Sequence, residues 1–164
     1  MSDHAAKVAL LLDDESIQEW HRVALREMLD RTPVTIGLLI INEGSDDEKS
    51  RNSRSNVTPW RVYNAVKSQL ESDDQLRSYR RRHHVDDVDL LSGVERRYCE
   101  AVTADGLGNQ LPTDIVEELS SYDVAIRFGF GILVGDALDA PKHGVLSFHH
   151  GDFRKYRGRP AGFW

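Results

Sequence analysis

The sequence predicts an α/β domain, Rossmann-like and in three layers, on a mostly parallel sheet. Three observations carry this. Residues 7–12 (KVALLL) and 34–41 (VTIGLLII) are continuous apolar runs without polar alternation, the pattern of strands buried on both faces. Between them, Ile17, Trp20, Ala24 and Met28 recur at helical spacing. Two later runs, residues 123–128 and 145–148, each lead into a glycine-rich or polar break.

The first unit is β-α-β, which packs as a right-handed parallel crossover. Its helix is expected over residues 16–29, with Ser16 and Glu19 at capping-box spacing, and Pro33 breaks it. Residues 43–58 form a polar loop. Thr58-Pro59 then reads as an N-cap and first helical position, followed by a stripe of Trp60, Tyr63, Val66 and Leu70. A second polar loop covers residues 71–89 and holds Arg80-Arg81-Arg82-His83-His84. Residues 98–103 read as a short third strand and 105–109 as a turn. Thr113, after Pro112, caps a short helix through Leu119. Strand 123–128 is broken by Gly129-Phe130-Gly131. Pro141 ends the connection before the last strand, and all 164 residues belong to one domain.

Composition narrows the function classes. Apolar residues at 40% suffice for a core. No apolar run has the length of a membrane span, and no charged-then-apolar leader opens the chain, so a cytoplasmic protein is expected. The single cysteine, Cys99, excludes an internal disulfide and a cysteine-based metal site within one chain. A net charge of -6 argues against a broad nucleic-acid face. The arginine run at 80–82 lies beside Asp86, Asp87 and Asp89, so it reads as a solvated face rather than a phosphate patch. Adjacent histidines, as at His83-His84, point apart on regular elements and make a poor metal pair. The turn after the first strand is Asp13-Asp14-Glu15. It lacks the glycines that let a backbone cradle phosphate, and its charge repels one.

The chemistry gathers in residues 144–158 (GVLSFHHGDFRKYRG). An apolar run reads as a buried strand that emerges into histidines, an aspartate and a basic, aromatic turn. Ser147 and His149 are two apart, so a strand points both to one face. A lone histidine at a strand end is more often structural, and a lone Gly-x-Gly is more often a tight turn.

This segment resembles the active-site stretch of the folate-dependent formyltransferases, whose pattern is Gly-Val-hydrophobic-Asn-hydrophobic-His-Pro-Ser-Leu-Leu-Pro-x-Tyr/Phe-Arg/Lys-Gly. His149 falls on the family's catalytic histidine and Tyr156-Arg157-Gly158 on its closing tripeptide. The resemblance implies formyl transfer from 10-formyltetrahydrofolate to a small amine, with His149 polarising the formyl group. It also implies that Phe130, Gly131, Ile132 and Leu133 line the pterin pocket. Departures are specific. Ser147 stands for the family's asparagine, and His150, Gly151, Asp152 and Arg154 stand for Pro, Ser, Leu and the second Pro. The family's catalytic aspartate lies a few dozen residues past the histidine, whereas this sequence stops at Trp164, as expected of a fragment or a shortened product. Asp152 is the nearby carboxylate that could partner His149. Family members that bind a nucleotide phosphate carry a Gly/Ser-rich turn where Asp13–Glu15 stands, so an amino sugar or another amine is the expected acceptor. A tRNA acceptor stays open, and no oligomeric state is indicated. Two alternatives remain: a non-catalytic relative that binds a folate or another small ligand, and a metal-dependent hydrolase using His149, His150 and Asp152. Neighbours on a strand face opposite sides, and zinc wants at least three protein ligands, which weighs against the hydrolase.

Overall fold

A computed structural model of the chain describes residues 5–44, 78–104 and 108–148. Its centre is a five-stranded sheet. In chain order its strands are β1 (Ala6–Leu12), β3 (Val34–Asn42), β5 (Glu95–Cys99), β8 (Val124–Arg127) and β9 (Val145–Ser147). They lie side by side as β5-β3-β1-β8-β9, and every pairing is parallel. Numbered among themselves the strands run 3-2-1-4-5. That is the doubly wound, Rossmann-like order, with its switch point between β1 and β8.

Alternation along the central strands builds one core on each face. Val8, Leu10 and Leu12 of β1 join Leu39 and Ile41 of β3 and Ile126 of β8. Over them lie Ile17, Leu25 of helix α1 (Glu19–Arg31) and Val85, Val88 and Leu91 from two short 3-10 turns. Ala9 and Leu11 point the other way, with Leu38, Ile40, Cys99 and Ala125. Over them lie Ile115 and Leu119 of helix α2 (Thr113–Leu119), together with Phe130, Leu133 and Ala137. The connections of the first half cover one face and those of the second half cover the other, which makes three layers. Each fully buried Leu or Ile contributes about 1.5–3 kcal/mol.

The β1–β3 ladder shifts register between Val8 and Ala9, which leaves Gly37 as the extra residue of β3. A Cβ there would meet the Tyr122 ring at 3.1 Å, so glycine lets the bulged strand lie under that side chain.

Four sequence expectations change. Ser16–Gln18 does not begin the helix. It is a short strand, β2, antiparallel to β4 (Arg82–His84), and the helix starts at Glu19. The N-terminal cap follows suit, with the Gln18 N–H donating to His21 Nδ1 at 3.2 Å in place of a Ser16–Glu19 box. The expected polar loop at 71–89 therefore contains a strand at Arg82–His84, followed by a fully buried Val85. The third sheet strand is Glu95–Cys99. The expected run at 98–103 divides between its end and a hairpin of β6 (Val102–Ala104) and β7 (Gly108–Gln110). Finally, β9 is an edge strand rather than a buried one, with Leu146 57% and Phe148 51% exposed. The expected loop at 43–58 beyond Gly44, and the helix after Thr58, lie outside the described residues.

The ends of β1 and β8 are fastened together. The Leu11 carbonyl accepts from both Phe128 N–H (2.9 Å) and Gly129 N–H (3.1 Å). A Cβ on Gly129 would stand 2.2 Å from the Asp13 nitrogen, so only glycine fits. Gly129→Ala is therefore expected to cost about 3 kcal/mol or more in urea unfolding, because the clash is with backbone and not with a movable side chain. A variant as stable as the parent would show that the two strand ends are not held in contact.

Candidate functional site

At the carboxyl end of the sheet, β8 runs into the turn Phe128-Gly129-Phe130-Gly131. Phe130 has φ 64°, a left-handed conformation that costs a non-glycine residue about 1 kcal/mol or more, and Gly131 follows at φ 56°. Three contacts hold the turn. Asp13 Oδ1 accepts from Phe130 N–H at 2.7 Å, and Asn109 Nδ2 donates to the Phe130 carbonyl at 2.9 Å. Asn109 also pairs through its backbone, its N–H donating to the Ile132 carbonyl (2.7 Å) and its carbonyl accepting from Val134 N–H (3.0 Å). The sequence marked residues 105–109 as a turn, and only the tertiary pairing shows that Asn109 supports the glycine break.

The four residues expected to line a pterin pocket divide. Phe130 is fully buried and Leu133 6% exposed, both within the core under α2. Gly131 is exposed and Ile132 is 62% exposed. The surface offered to a ligand along this stretch is therefore Gly131 and Ile132.

Ser147 stands directly across from Arg127 in the β8–β9 ladder. Cross-strand partners share a face, and Arg127 Nη2 donates to Ser147 Oγ at 2.7 Å. Their face is that of Ala125, Val145 and Phe130. On the opposite face, Phe148 stacks on Phe128 with centroids 5.7 Å apart and meets Trp20 edge-on at 5.3 Å. Phe128 in turn stacks on His21 at 4.1 Å. This aromatic group ties the end of β9 to the start of α1. His149 and Asp152, the other two expected catalytic residues, lie outside the described residues.

The acidic turn is fully engaged by the protein. Asp13 holds Phe130. Asp14 accepts from Ser16 N–H (2.9 Å) and Ser16 Oγ (2.7 Å) and pairs with Arg82 at 2.5 Å. Glu15 accepts from the Tyr98 hydroxyl at 2.6 Å and lies 3.6 Å from His84 and 3.7 Å from Arg96. His83 Nε2 lies 2.8 Å from Glu19 without hydrogen-bond alignment, and Glu19 also pairs with Arg22. Each residue of β4 thus faces a carboxylate of the turn or of the first turn of α1. Arg82, His83 and His84 are thus each met by a carboxylate of the chain, whereas Arg80 and Arg81 stand exposed before the strand. Among the described residues, no group of three His, Cys, Asp or Glu could hold a metal ion, and no helix is long and apolar enough to cross a membrane.

An open groove of about 780 Å³ lies elsewhere, between edge strand β5 and α2, lined by Arg96, Arg97, Tyr98 and Glu118 among others. Arg97 is already paired with Glu118 (3.0 Å) and Glu95 (3.5 Å), and Arg96 with Asp86. Those partners hold both guanidinium groups above the ordinary arginine value. The lining is mixed in charge and internally satisfied, so it ranks below the β8–β9 edge as a site. Cys99, under β5, is 6% exposed, and burial pushes its thiol up to about 11. It is a core residue and not a nucleophile.

No family model, no curated protein and no solved structure matches the chain.

The charge knot generates a pH dependence. Burial is the largest single influence on Asp14 and raises it, but hydrogen bonds from Ser16 and Arg82 outweigh it and leave the carboxyl below its ordinary 3.8. The Arg22 hydrogen bond is the main cause that lowers Glu19 below 4.5. Depressed carboxyl values stabilise the fold above 3.8 and 4.5, and that stability is lost as pH falls through the lowered folded values. Urea midpoints measured from neutral pH into this acid range should therefore fall. In Arg82→Gln they should fall less, because Asp14 then titrates nearer its ordinary value. Superimposable profiles would show that the Asp14–Arg82 pair does not contribute.

Proposed function

We propose that the chain carries the catalytic region of a folate-dependent formyltransferase, taking the formyl group of 10-formyltetrahydrofolate to a small amine. One observation supports this above the rest. The segment that resembles the family's active site leaves the sheet as β9, parallel to and beside β8, whose own end is the glycine-broken turn expected to meet the pterin. Two stretches joined only by a motif argument are thereby neighbours at the carboxyl end of a doubly wound sheet, where such folds bind ligands.

In the proposed reaction the amine nitrogen attacks the formyl carbon and negative charge grows on the formyl oxygen. The bond from that carbon to N10 breaks as the new C–N bond is completed. The amine loses one proton and N10 gains one, giving a formamide and tetrahydrofolate. His149 donates toward the formyl oxygen, and a donor so placed lowers the barrier by roughly 3 kcal/mol. Imidazole suits the role because it exchanges a proton near neutral pH. Asp152 is the carboxylate near enough in sequence to partner it. Gly131 and Ile132 offer the exposed surface against which a flat ring would lie. The engaged acidic turn after β1 favours an acceptor without a phosphate at that position, such as an amino sugar.

Ser147 gives a reason to keep the non-catalytic alternative. Its hydroxyl is shorter than an asparagine amide and is already bonded to Arg127. Calorimetry with 10-formyltetrahydrofolate, followed by turnover with hydroxylamine and amino sugars as acceptors, separates the readings. The enzyme reading expects binding in both the parent and His149→Ala, with turnover reduced by about a hundredfold in the variant. Binding without turnover in the parent would support the non-catalytic relative. The absence of folate binding would overturn the enzyme reading and leave only a relative that binds another small ligand.

A further inference from the structure

Three rings at the carboxyl end of the sheet stand in one stack, and the outermost has an open face. We propose that the outer face of Phe148 seats an uncharged planar heteroaromatic ring, such as a nucleobase, which joins the stack as a fourth ring. The site stands apart from the formyl-transfer reading, because Phe148 lies on the opposite face of the sheet from Arg127 and Ser147. His21 and Phe128 are nearly parallel, with 20° between their planes and centroids 4.1 Å apart, and Phe128 and Phe148 follow at 10° and 5.7 Å. Trp20 meets all three rings edge-on, at 70°, 90° and 83°, and walls the stack along one side. The innermost ring is covered, His21 being 8% exposed, whereas Phe148 is 51% exposed. Phe128 takes the inner face of Phe148, so the exposed area belongs to its outer face and rim. The stack is also held from behind. Gln18 Oε1 accepts from the Trp20 indole N–H at 2.7 Å, the Gln18 N–H donates to His21 Nδ1 at 3.2 Å, and β2 sets Gln18 across from Arg82. An incoming ring therefore meets a surface whose parts are already ordered, which lowers the cost of binding. Parallel rings walled by an edge-on ring are an arrangement that aromatic quadrupoles favour, and the stack uses the parallel contact twice; a third repeat calls for a flat, aromatic ligand. Leu146, two residues back on the same strand face and 57% exposed, extends the floor. The chain entering α1 carries Asp13, Asp14, Glu15 and Glu19, which favours an uncharged ring over one bearing a phosphate.

Adenosine is the probe, titrated into the full chain at millimolar concentration and followed by NMR. The expected result is an upfield shift of the Phe148 ring protons, with nuclear Overhauser contacts from the adenine H2 or H8 proton to that ring. Arg127 and Ser147, on the other face, should change little. Phe148→Leu keeps an apolar side chain but removes the ring. It should leave the urea midpoint near that of the parent and weaken adenosine binding at least about tenfold. Cyclohexanol, apolar but without a π-face, and ribose, without the base, should shift nothing at Phe148. No response of Phe148 to adenosine, an equal response to cyclohexanol or ribose, or unchanged affinity in Phe148→Leu would each overturn the proposal. If the variant melts early, the contacts between adenine and Phe148 in the parent decide the question. A response of Phe148 to adenosine sustains the proposal even where no folate binds, so its fate and that of the formyl-transfer reading are read separately.

Discussion

The hydrogen bond from Phe130 N–H to the Asp13 carboxylate is the contact on which the rest of the described structure depends. It closes the point where β1 and β8 diverge in their connections, the usual place for a ligand in a doubly wound sheet. Gly129 lies against the Asp13 backbone there, and the Leu11 carbonyl takes two N–H groups from the same turn. The backbones of the two strand ends thus meet at the switch point, and to one side of it β8 and β9 lead into exposed residues. The left-handed backbone of Phe130 is held by Asp13 on one flank and Asn109 on the other, and its ring is anchored in the core. A strained residue so firmly constrained keeps the following pair, Gly131 and Ile132, in one presentation.

Charge organises the other half of that edge. The basic strand β4, from a distant part of the chain, faces the acidic turn after β1 and the first turn of α1: Arg82 against Asp14, His84 against Glu15 and His83 against Glu19. The outer edge of the sheet at β5 is guarded in the same manner, by Arg97 with Glu95 and Glu118 and by Arg96 with Asp86. Charged side chains on an edge strand discourage strand addition by another molecule. Among the described residues the β9 edge carries no such charges: Leu146 and Ser147 lie on the strand and Phe148 follows it.

The sequence made legible whatever local pattern controls. Residues 7–12 and 34–41 read as buried parallel strands because both faces of a central strand are apolar, and helix 113–119 read correctly in extent, although Pro112 and not the expected Thr113 stands at its N-cap. It hid whatever depends on remote partners. Ser16–Gln18 has helical apolar spacing to its C-terminal side, yet it pairs with β4 sixty-odd residues away. Glu95–Cys99 is rich in arginine and glutamate because it is an edge strand, so it gave no apolar signal. Val145–Phe148 is apolar but exposed, a reminder that hydrophobicity alone does not distinguish a core strand from an edge. At the site, the order of the two motif segments was readable. That Phe130 and Leu133 belong to the core, and that Arg127 reaches Ser147, required the fold.

The proposed ligand would lie at the carboxyl ends of β8 and β9, against a turn whose backbone is fixed from two directions. Amide NMR shifts on addition of 5-formyltetrahydrofolate, a stable relative of the formyl donor, test that placement directly. The largest changes are expected at Arg127, Gly131, Ile132 and Ser147. Changes concentrated instead on Arg97, Tyr98 and Glu118 along the β5–α2 groove, or no changes at all, would contradict it.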